Sequence, residues 1–396
     1  MIMKLTACPG FKAAGFAAGI KNKNQLDMGL IYSEYPATVA GVFTGNLVKA
    51  APVLLDQEKI KSGECRALII NSGNANCCTG EKGMFDAKNM CAQTATALGI
   101  PDNLVLVAST GVIGQPLPMG KISTAIPGLV NSLSKQGFTD LANSIMTTDT
   151  TPKILGIQSQ IDDKPVHVLG VAKGSGMIHP NMATLLCFIC TDVAADPKTL
   201  KKVLTRSVDS SFNRITVDGD TSTNDTALLM ANGFSGIKID TPQKEKAFQK
   251  ILDEICLKLA LMLVKDGEGV TKVVKITVKG AKSDHDARKI ANTIAQSNLV
   301  KTAFFGEDAN WGRIMAAAGR AGIDLIPEKI DIYFNSIQMV KCGTGCGSKA
   351  EVLATAVLKK SEFEVILNLN KGSGQASVLT CDFSIDYVKI NADYRS

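Results

Sequence analysis

In the stretch "HPNMATLLCFIC" (179–190), one threonine stands where small and polar residues give way to a dense apolar run. Thr184 can be read as ordinary strand chemistry, because β-branched side chains favour strands. It can also be read as a nucleophile. A threonine hydroxyl is weak at neutral pH and needs an adjacent base, and a free α-amino group is one solution. Such an amine has a pKa of about 8, close to working pH, as general base catalysis requires. Thr184 owns that amine only if the Ala183–Thr184 bond breaks. The hydroxyl could itself attack the Ala183 carbonyl, which a small side chain leaves accessible, and Gly174 and Gly176 permit a tight backbone path ahead of it.

Other chemistries have thinner support. The chain has three histidines, His167, His179 and His285, and only His179 lies near a suggestive hydroxyl. Cys77-Cys78, Cys187-x-x-Cys190 and Cys342-x-x-x-Cys346 invite a metal reading. A zinc site needs four ligands, and in an extended strand Cys187 and Cys190 point to opposite faces, so no metal is expected. "DGDTSTND" (218–225) resembles a calcium loop but places Thr223 where the sixth-position glycine belongs, which leaves a polar loop. "KGSGM" (173–177) is neither a Walker loop nor a nucleophile elbow.

The elements that must carry these residues alternate. Apolar runs rich in Val and Ile and bounded by Gly, Asn or Pro predict strands at 37–43, 66–73, 104–110, 166–172, 184–190, 273–280, 364–370 and 384–390. Phe248, Ile251, Leu252, Ile255, Cys256, Leu259 and Leu263 recur at helical spacing and end at "KDGEG". Further helices are predicted at 85–99, 198–212 and 284–297, the last with Asp284 as N-cap. This mixture is α/β. A division is expected near the polar link at 277–284, with a larger core at 1–280 and a smaller α+β part at 281–396. No repeat of 20 to 50 residues appears, which excludes solenoids and propellers.

Composition narrows the class. The 396 residues, 45% hydrophobic and 20% charged, suit a globular protein with an ample core. The net charge of +6 comes from scattered basic residues with few aromatics between them, so no nucleic-acid partner is expected. Pro9 and Gly10 interrupt the start before an export leader could form, and no run of 18 apolar residues suggests a membrane span. Eleven cysteines, an odd number without an export signal, suit free thiols in the cytoplasm.

"KGSGMIHPNMATLL" (173–186) resembles the processing site of the ornithine acetyltransferase family, the ArgJ-type glutamate N-acetyltransferases of arginine biosynthesis. "VFTGNLVKAAPV" (42–53), "NSGNAN" (71–76), "STGVIG" (109–114), "MTTDT" (146–150), "DGDTSTND", "LVKDGEG" (263–269), "SNLVKTAFFGEDANWGRI" (297–314) and "NADYRS" (391–396) resemble further blocks in the family's order. The likeness spans nearly the whole chain. It implies a layered αββα core of the N-terminal-nucleophile type with a smaller C-terminal domain. It also implies self-cleavage into an α chain (1–183) and a β chain (184–396), which assemble as an α2β2 heterotetramer. Thr184 would take acetyl from N2-acetylornithine and pass it to glutamate through an ester.

Further roles follow from the resemblance alone. Thr110 and Gly111 match the oxyanion donors, and Thr147, Lys173, Glu268, Asn391 and Ser396 match substrate contacts. Thr148 leaves the register of Thr147 open by one. The family often ends in Thr, where this chain has Ser396, a mild departure that keeps the hydroxyl. No resident cofactor is implied. Acetyl-CoA stays open as a second donor, because a transient acyl donor needs no dedicated nucleotide loop. Two competing readings are an amidase or aminopeptidase that hands its acyl group to water, and a non-enzymatic α/β binding protein.

Overall fold

A computed structural model describes residues 7–21, 24–179 and 185–393, and its contacts divide the chain into two compact units. The first comprises residues 1–213 and 220–263, the second 214–219 and 264–396.

In chain order the first unit contains β1 (Phe11–Phe16), β2 (Met28–Phe43), α1 (Ala51–Lys59), β3 (Glu64–Asn74), α2 (Gly80–Leu98), β4 (Val105–Val112), α3 (Met119–Asn131) and α4 (Phe138–Ser144). It continues with β5 (Lys153–Ile161), β6 (Lys164–Lys173), β7 (Leu186–Thr191), α5 (Pro197–Ser210), β8 (Thr226–Ala231) and α6 (Pro242–Lys265). The strands form one sheet in the order β4-β3-β2-β8-β7-β6-β5, with β1 also on β2. The β3/β4 and β7/β8 pairs are parallel and the remaining pairs antiparallel.

β2 explains how one sheet becomes two layers. Its first part pairs with β3, its register shifts between Tyr32 and Ala37, and its last part pairs with β8. A bulge of this kind bends and twists a strand. The two halves of the sheet therefore face each other. Leu68, Ile70, Leu106 and Ala108 from one half share a core with Leu169, Val171, Leu186, Phe188 and Cys190 from the other. Ala67, Ile69, Val105 and Val107 point the opposite way, against Met90, Ile122 and Ile126 of α2 and α3. Burial on both faces is why β3 reads as a continuous apolar run rather than an alternating one. On the outer face of the second half, Gly170 lies against α6: a Cβ there would meet Leu259 at 2.7 Å. The layering is helix, sheet, sheet, helix, as the family resemblance implies.

The second unit contains β9 (Val273–Ala281), α7 (Asp284–Ala295), α8 (Asn298–Phe305), α9 (Trp311–Gly319), β10 (Asp331–Phe334), β11 (Ile337–Lys341), β12 (Thr344–Gly345), α10 (Ser348–Leu358), β13 (Glu362–Asn368), β14 (Gly374–Cys381) and α11 (Ile385–Ala392). Its sheet runs β12-β11-β10-β13-β9-β14. Val274, Ile276, Val278, Val365, Leu367 and Val378 line one face and pack against Ile290, Ile294, Phe304, Ile314 and Leu358 of the helices, with Trp311 at the margin of this core.

Three sequence expectations need correction. β9 lies between β13 and β14, so it belongs to the second unit and not to a core ending at residue 280. Residues 384–390 are not a strand. Ser384 accepts from the Tyr387 amide and starts α11, a cap that outweighs the β-forming Ile and Val. The N-cap of α7 is Ser283, which accepts from the Asp286 amide; Asp284 instead accepts from the Gln375 amide. Among the described residues no helix is long and apolar enough to cross a membrane. The cysteines are unpaired, with Cys187 and Cys190 on opposite faces of β7.

Candidate active site

Strand alternation brings the first two side chains together. Thr110 continues the face of β4 that presents Leu106 and Ala108, and Lys173 continues the face of β6 that presents Leu169 and Val171. Both point into the space between the sheet halves, where the Lys173 ammonium donates to Thr110 Oγ1 at 3.2 Å. It also donates to Thr147 Oγ1 at 2.9 Å, and this contact falls on Thr147 rather than Thr148. An ammonium has no lone pair with which to accept. Both hydroxyls therefore accept from Lys173, and each retains its own proton to give to another acceptor.

Asp149 braces this group. It is buried and accepts from Lys153 Nζ at 2.7 Å, the Gly174 amide at 2.7 Å and the Thr147 amide at 3.0 Å, with Lys173 Nζ at 4.0 Å. Burial alone would raise its carboxyl, but the two ammonium groups and these hydrogen bonds outweigh burial and bring it down to about 2. It is thus ionised at neutral pH and ties the 147–149 turn to the end of β6.

Gly111 follows Thr110 with φ +133°. A Cβ there would come within 2.3 Å of the Gly73 carbonyl carbon, so the register of β3 against β4 requires glycine at this position. Asn224 fixes the same strand end. Its Nδ2 donates to the Ser109 carbonyl at 2.8 Å and the Ala75 carbonyl at 2.7 Å. "DGDTSTND" thus supplies a residue that frames this strand end. Asp225 within it accepts from the Leu185 amide at 3.0 Å, and its second oxygen is buried without a hydrogen-bond partner among the described residues. Burial pushes its carboxyl well up, against the opposing pull of that amide and of Lys173.

The connection between β6 and β7 leaves the sheet at Lys173 and returns at Leu186, residues paired across the two strands. Ala183 and Thr184 fall in that connection and lie outside the described residues, as does Ser396. His179 is described. Burial lowers its pKa, against an opposing pull from Asp220, so its imidazole is neutral near pH 7.

In the second unit Glu268 and Asn391 meet: Asn391 Nδ2 donates to Glu268 Oε2 at 2.8 Å. Glu268 is buried, and Gly269 beside it has φ +67°. A Cβ on Gly269 would meet the Tyr387 amide nitrogen at 2.5 Å, and Ser384 Oγ donates to the Gly269 carbonyl. The turn is thereby locked against the start of α11.

Sequence reasoning missed Asp149, Lys153 and Asp225. Asp149 is the one acid in "MTTDT", a signal available in the sequence. Asp225 likewise ends the block at 218–225, whereas Lys153 had no such signal, because its role arises from burial.

Comparison with known proteins yields a family and close relatives. A family model described as the ArgJ family matches residues 12–396. The arginine biosynthesis bifunctional protein ArgJ of Geobacter sulfurreducens is 51% identical over 389 residues, covering 98% of this chain and 99% of the relative. The protein of the same name from Syntrophotalea carbinolica is 50% identical over 390 residues, covering 98% and 99%. A crystal structure of arginine biosynthesis bifunctional protein ArgJ from Bacillus halodurans is 41% identical, with a TM-score of 0.49, over 52% of this chain and 97% of that one.

Proposed function

The chain belongs to the ArgJ family, and from that premise we propose that it is an acetyltransferase of arginine biosynthesis that moves acetyl from N2-acetylornithine to glutamate. The observation that carries this reading is 51% identity over nearly the full length to a bifunctional ArgJ protein. The hydroxyl–ammonium cluster of Thr110, Thr147 and Lys173 supports it chemically.

Thr184 is proposed as the nucleophile. In maturation its hydroxyl attacks the Ala183 carbonyl, the peptide nitrogen leaves as the new α-amine, and water hydrolyses the resulting ester. The chains 1–183 and 184–396 then remain associated, proposed as α2β2. In the first half-reaction Thr184 Oγ attacks the acetyl carbonyl of N2-acetylornithine while the α-amine takes its proton. The carbon–nitrogen bond breaks, ornithine leaves with that proton, and Thr184 carries acetyl as an ester. In the second, the glutamate amine attacks the ester, Thr184 Oγ leaves and regains a proton, and N-acetylglutamate departs. Each tetrahedral intermediate carries an oxyanion. The Thr110 hydroxyl, polarised by Lys173, and the Gly111 amide are proposed as its donors.

Both substrates present an α-carboxylate, and an ammonium supplies charge-assisted hydrogen bonds to such a group. Lys173 and Thr147 are assigned that role. The resemblance extends substrate contacts to Glu268, Asn391 and Ser396. The chemistry requires no resident cofactor. Because the relatives carry the name bifunctional, we propose acetyl-CoA as a second donor that acetylates the same threonine.

The test is glutamate acetylation with each donor in turn. Transfer from N2-acetylornithine with release of ornithine is expected, with parallel initial-rate lines for a ping-pong scheme. Acetyl-CoA turnover without any turnover of N2-acetylornithine would overturn the reading.

A further inference from the structure

A third ammonium group stands at this cluster and has no role in the scheme above. Lys21 is half-buried, and its Nζ donates to the Met146 carbonyl at 3.0 Å. Met146 directly precedes Thr147, whose hydroxyl accepts from Lys173. Lys21 and Lys173 thus bracket the Met146–Thr147 peptide, and their charges are close enough to oppose one another. Burial lowers the Lys21 ammonium, while Asp27 and Asp149 pull it back up.

Its placement is built rather than incidental. The Asp27 carboxylate is fully buried and accepts from the backbone amides of Ala18, Ile20 and Lys21, at 2.6, 2.5 and 3.0 Å. Three amides on one carboxylate fix the backbone from which Lys21 extends. The Lys21 stem then crosses Gly73, where a Cβ would come within 2.8 Å of Lys21 Cγ. Gly73 pairs with Gly111, so the stem passes beside the strand ends that carry the proposed oxyanion donors.

The charge balance shows what such an arrangement accommodates. Asp149 is ionised and already committed to Lys153, the Asp27 carboxylate draws on Lys21 from the loop that carries it, and burial pushes the third nearby carboxyl, Asp225, towards its neutral form. Three ammonium groups, Lys21, Lys153 and Lys173, therefore face two carboxylates, Asp27 and Asp149, and the cluster keeps an excess of positive charge with Lys21 and Lys173 at separate positions. One carboxylate cannot balance two separated ammonium groups, whereas a dicarboxylate can.

We propose that Lys21 binds the second, side-chain carboxylate of the acyl acceptor, and so selects a dicarboxylic amino acid for the second half-reaction. The proposal rests on the acetyl-transfer reading. The donor N2-acetylornithine carries one carboxylate and an ammonium, so it gains nothing from Lys21.

In a ping-pong reaction kcat/KM for each substrate reports its own half-reaction, which separates the two. The variant Lys21→Gln keeps a donor for the Met146 carbonyl and removes the charge, and Lys21→Arg restores the charge. In Lys21→Gln, kcat/KM for glutamate is expected to fall about tenfold more than kcat/KM for N2-acetylornithine, mainly through KM, with recovery in Lys21→Arg. An equal loss for both substrates, or no loss for either, overturns the proposal and leaves Lys21 as a tether for its loop. If the unmodified enzyme does not acetylate glutamate at all, the acetyl-transfer reading fails instead. Should Lys21→Gln be insoluble, Lys21→Met is read in the same way.

Discussion

Asp149 shows how much a single residue decides at this site. Its folded carboxyl, at about 2, lies below the unfolded value of about 3.9. The stabilisation from its ionised form is therefore fully present above about pH 4 and is lost as pH falls towards 2. Lys153 is buried beside it with no exposed side-chain surface. Replacing Asp149 with Asn leaves that ammonium without its carboxylate, a change that costs about 3–5 kcal/mol. Asp149→Asn is expected to lower the thermal midpoint clearly at pH 7, with the gap from the parent shrinking as pH falls below 4. A midpoint equal to the parent's at pH 7 would count against this account. Lys173 and Thr147 were nameable from sequence because they sit in recognisable blocks. The carboxylate that orients them, Asp149, lies in the same block as Thr147, but only burial shows that it gathers the donors.

At the scale of elements, β3 and β4 matter most. Their parallel register sets Gly111 against Gly73 at a distance that no side chain tolerates. Gly111→Ala is expected to reduce both the thermal midpoint and the acetylation rate, since relief requires backbone movement at Thr110. Gly114→Ala is the matched comparison. It also has a positive φ, +85°, but meets nothing within 4 Å, so it should cost only about 1–2 kcal/mol of backbone strain. If the two variants melt alike, the close approach does not hold the register. The strands buried on both faces were legible as apolar runs, and α6 as a helical period. Residues 384–390 misled because a short apolar run suits strand and helix equally, and a single serine cap decided between them.

For the whole molecule, the proposed maturation makes a direct prediction. Active protein on a denaturing gel should give two fragments beginning at Met1 and Thr184, in place of one band at the 41.9 kDa of the intact chain. Thr184→Ala should remain a single band and transfer no acetyl. Active protein that stays uncut would remove the α-amine from the mechanism. The two-unit organisation was anticipated in kind but not in place. Pairing of β9 (Val273–Ala281) with β13 (Glu362–Asn368) and β14 (Gly374–Cys381), both far later in the chain, sets the boundary, and a polar stretch in the sequence could not reveal it.

The sequence by itself determined the family, the α/β class, the residue proposed as nucleophile and the blocks that supply its neighbours. These are local properties, written in residue order and in periodicities of two and three to four. Tertiary structure alone decided that β2 folds one sheet into two facing layers and that Thr110, Thr147 and Lys173 share one cluster. It also decided that Asp149 is ionised while Asp225 is pushed towards neutrality, and that Lys21 joins the cluster. Burial and charge proximity depend on strands distant in the chain, and no reading in residue order contains those distances.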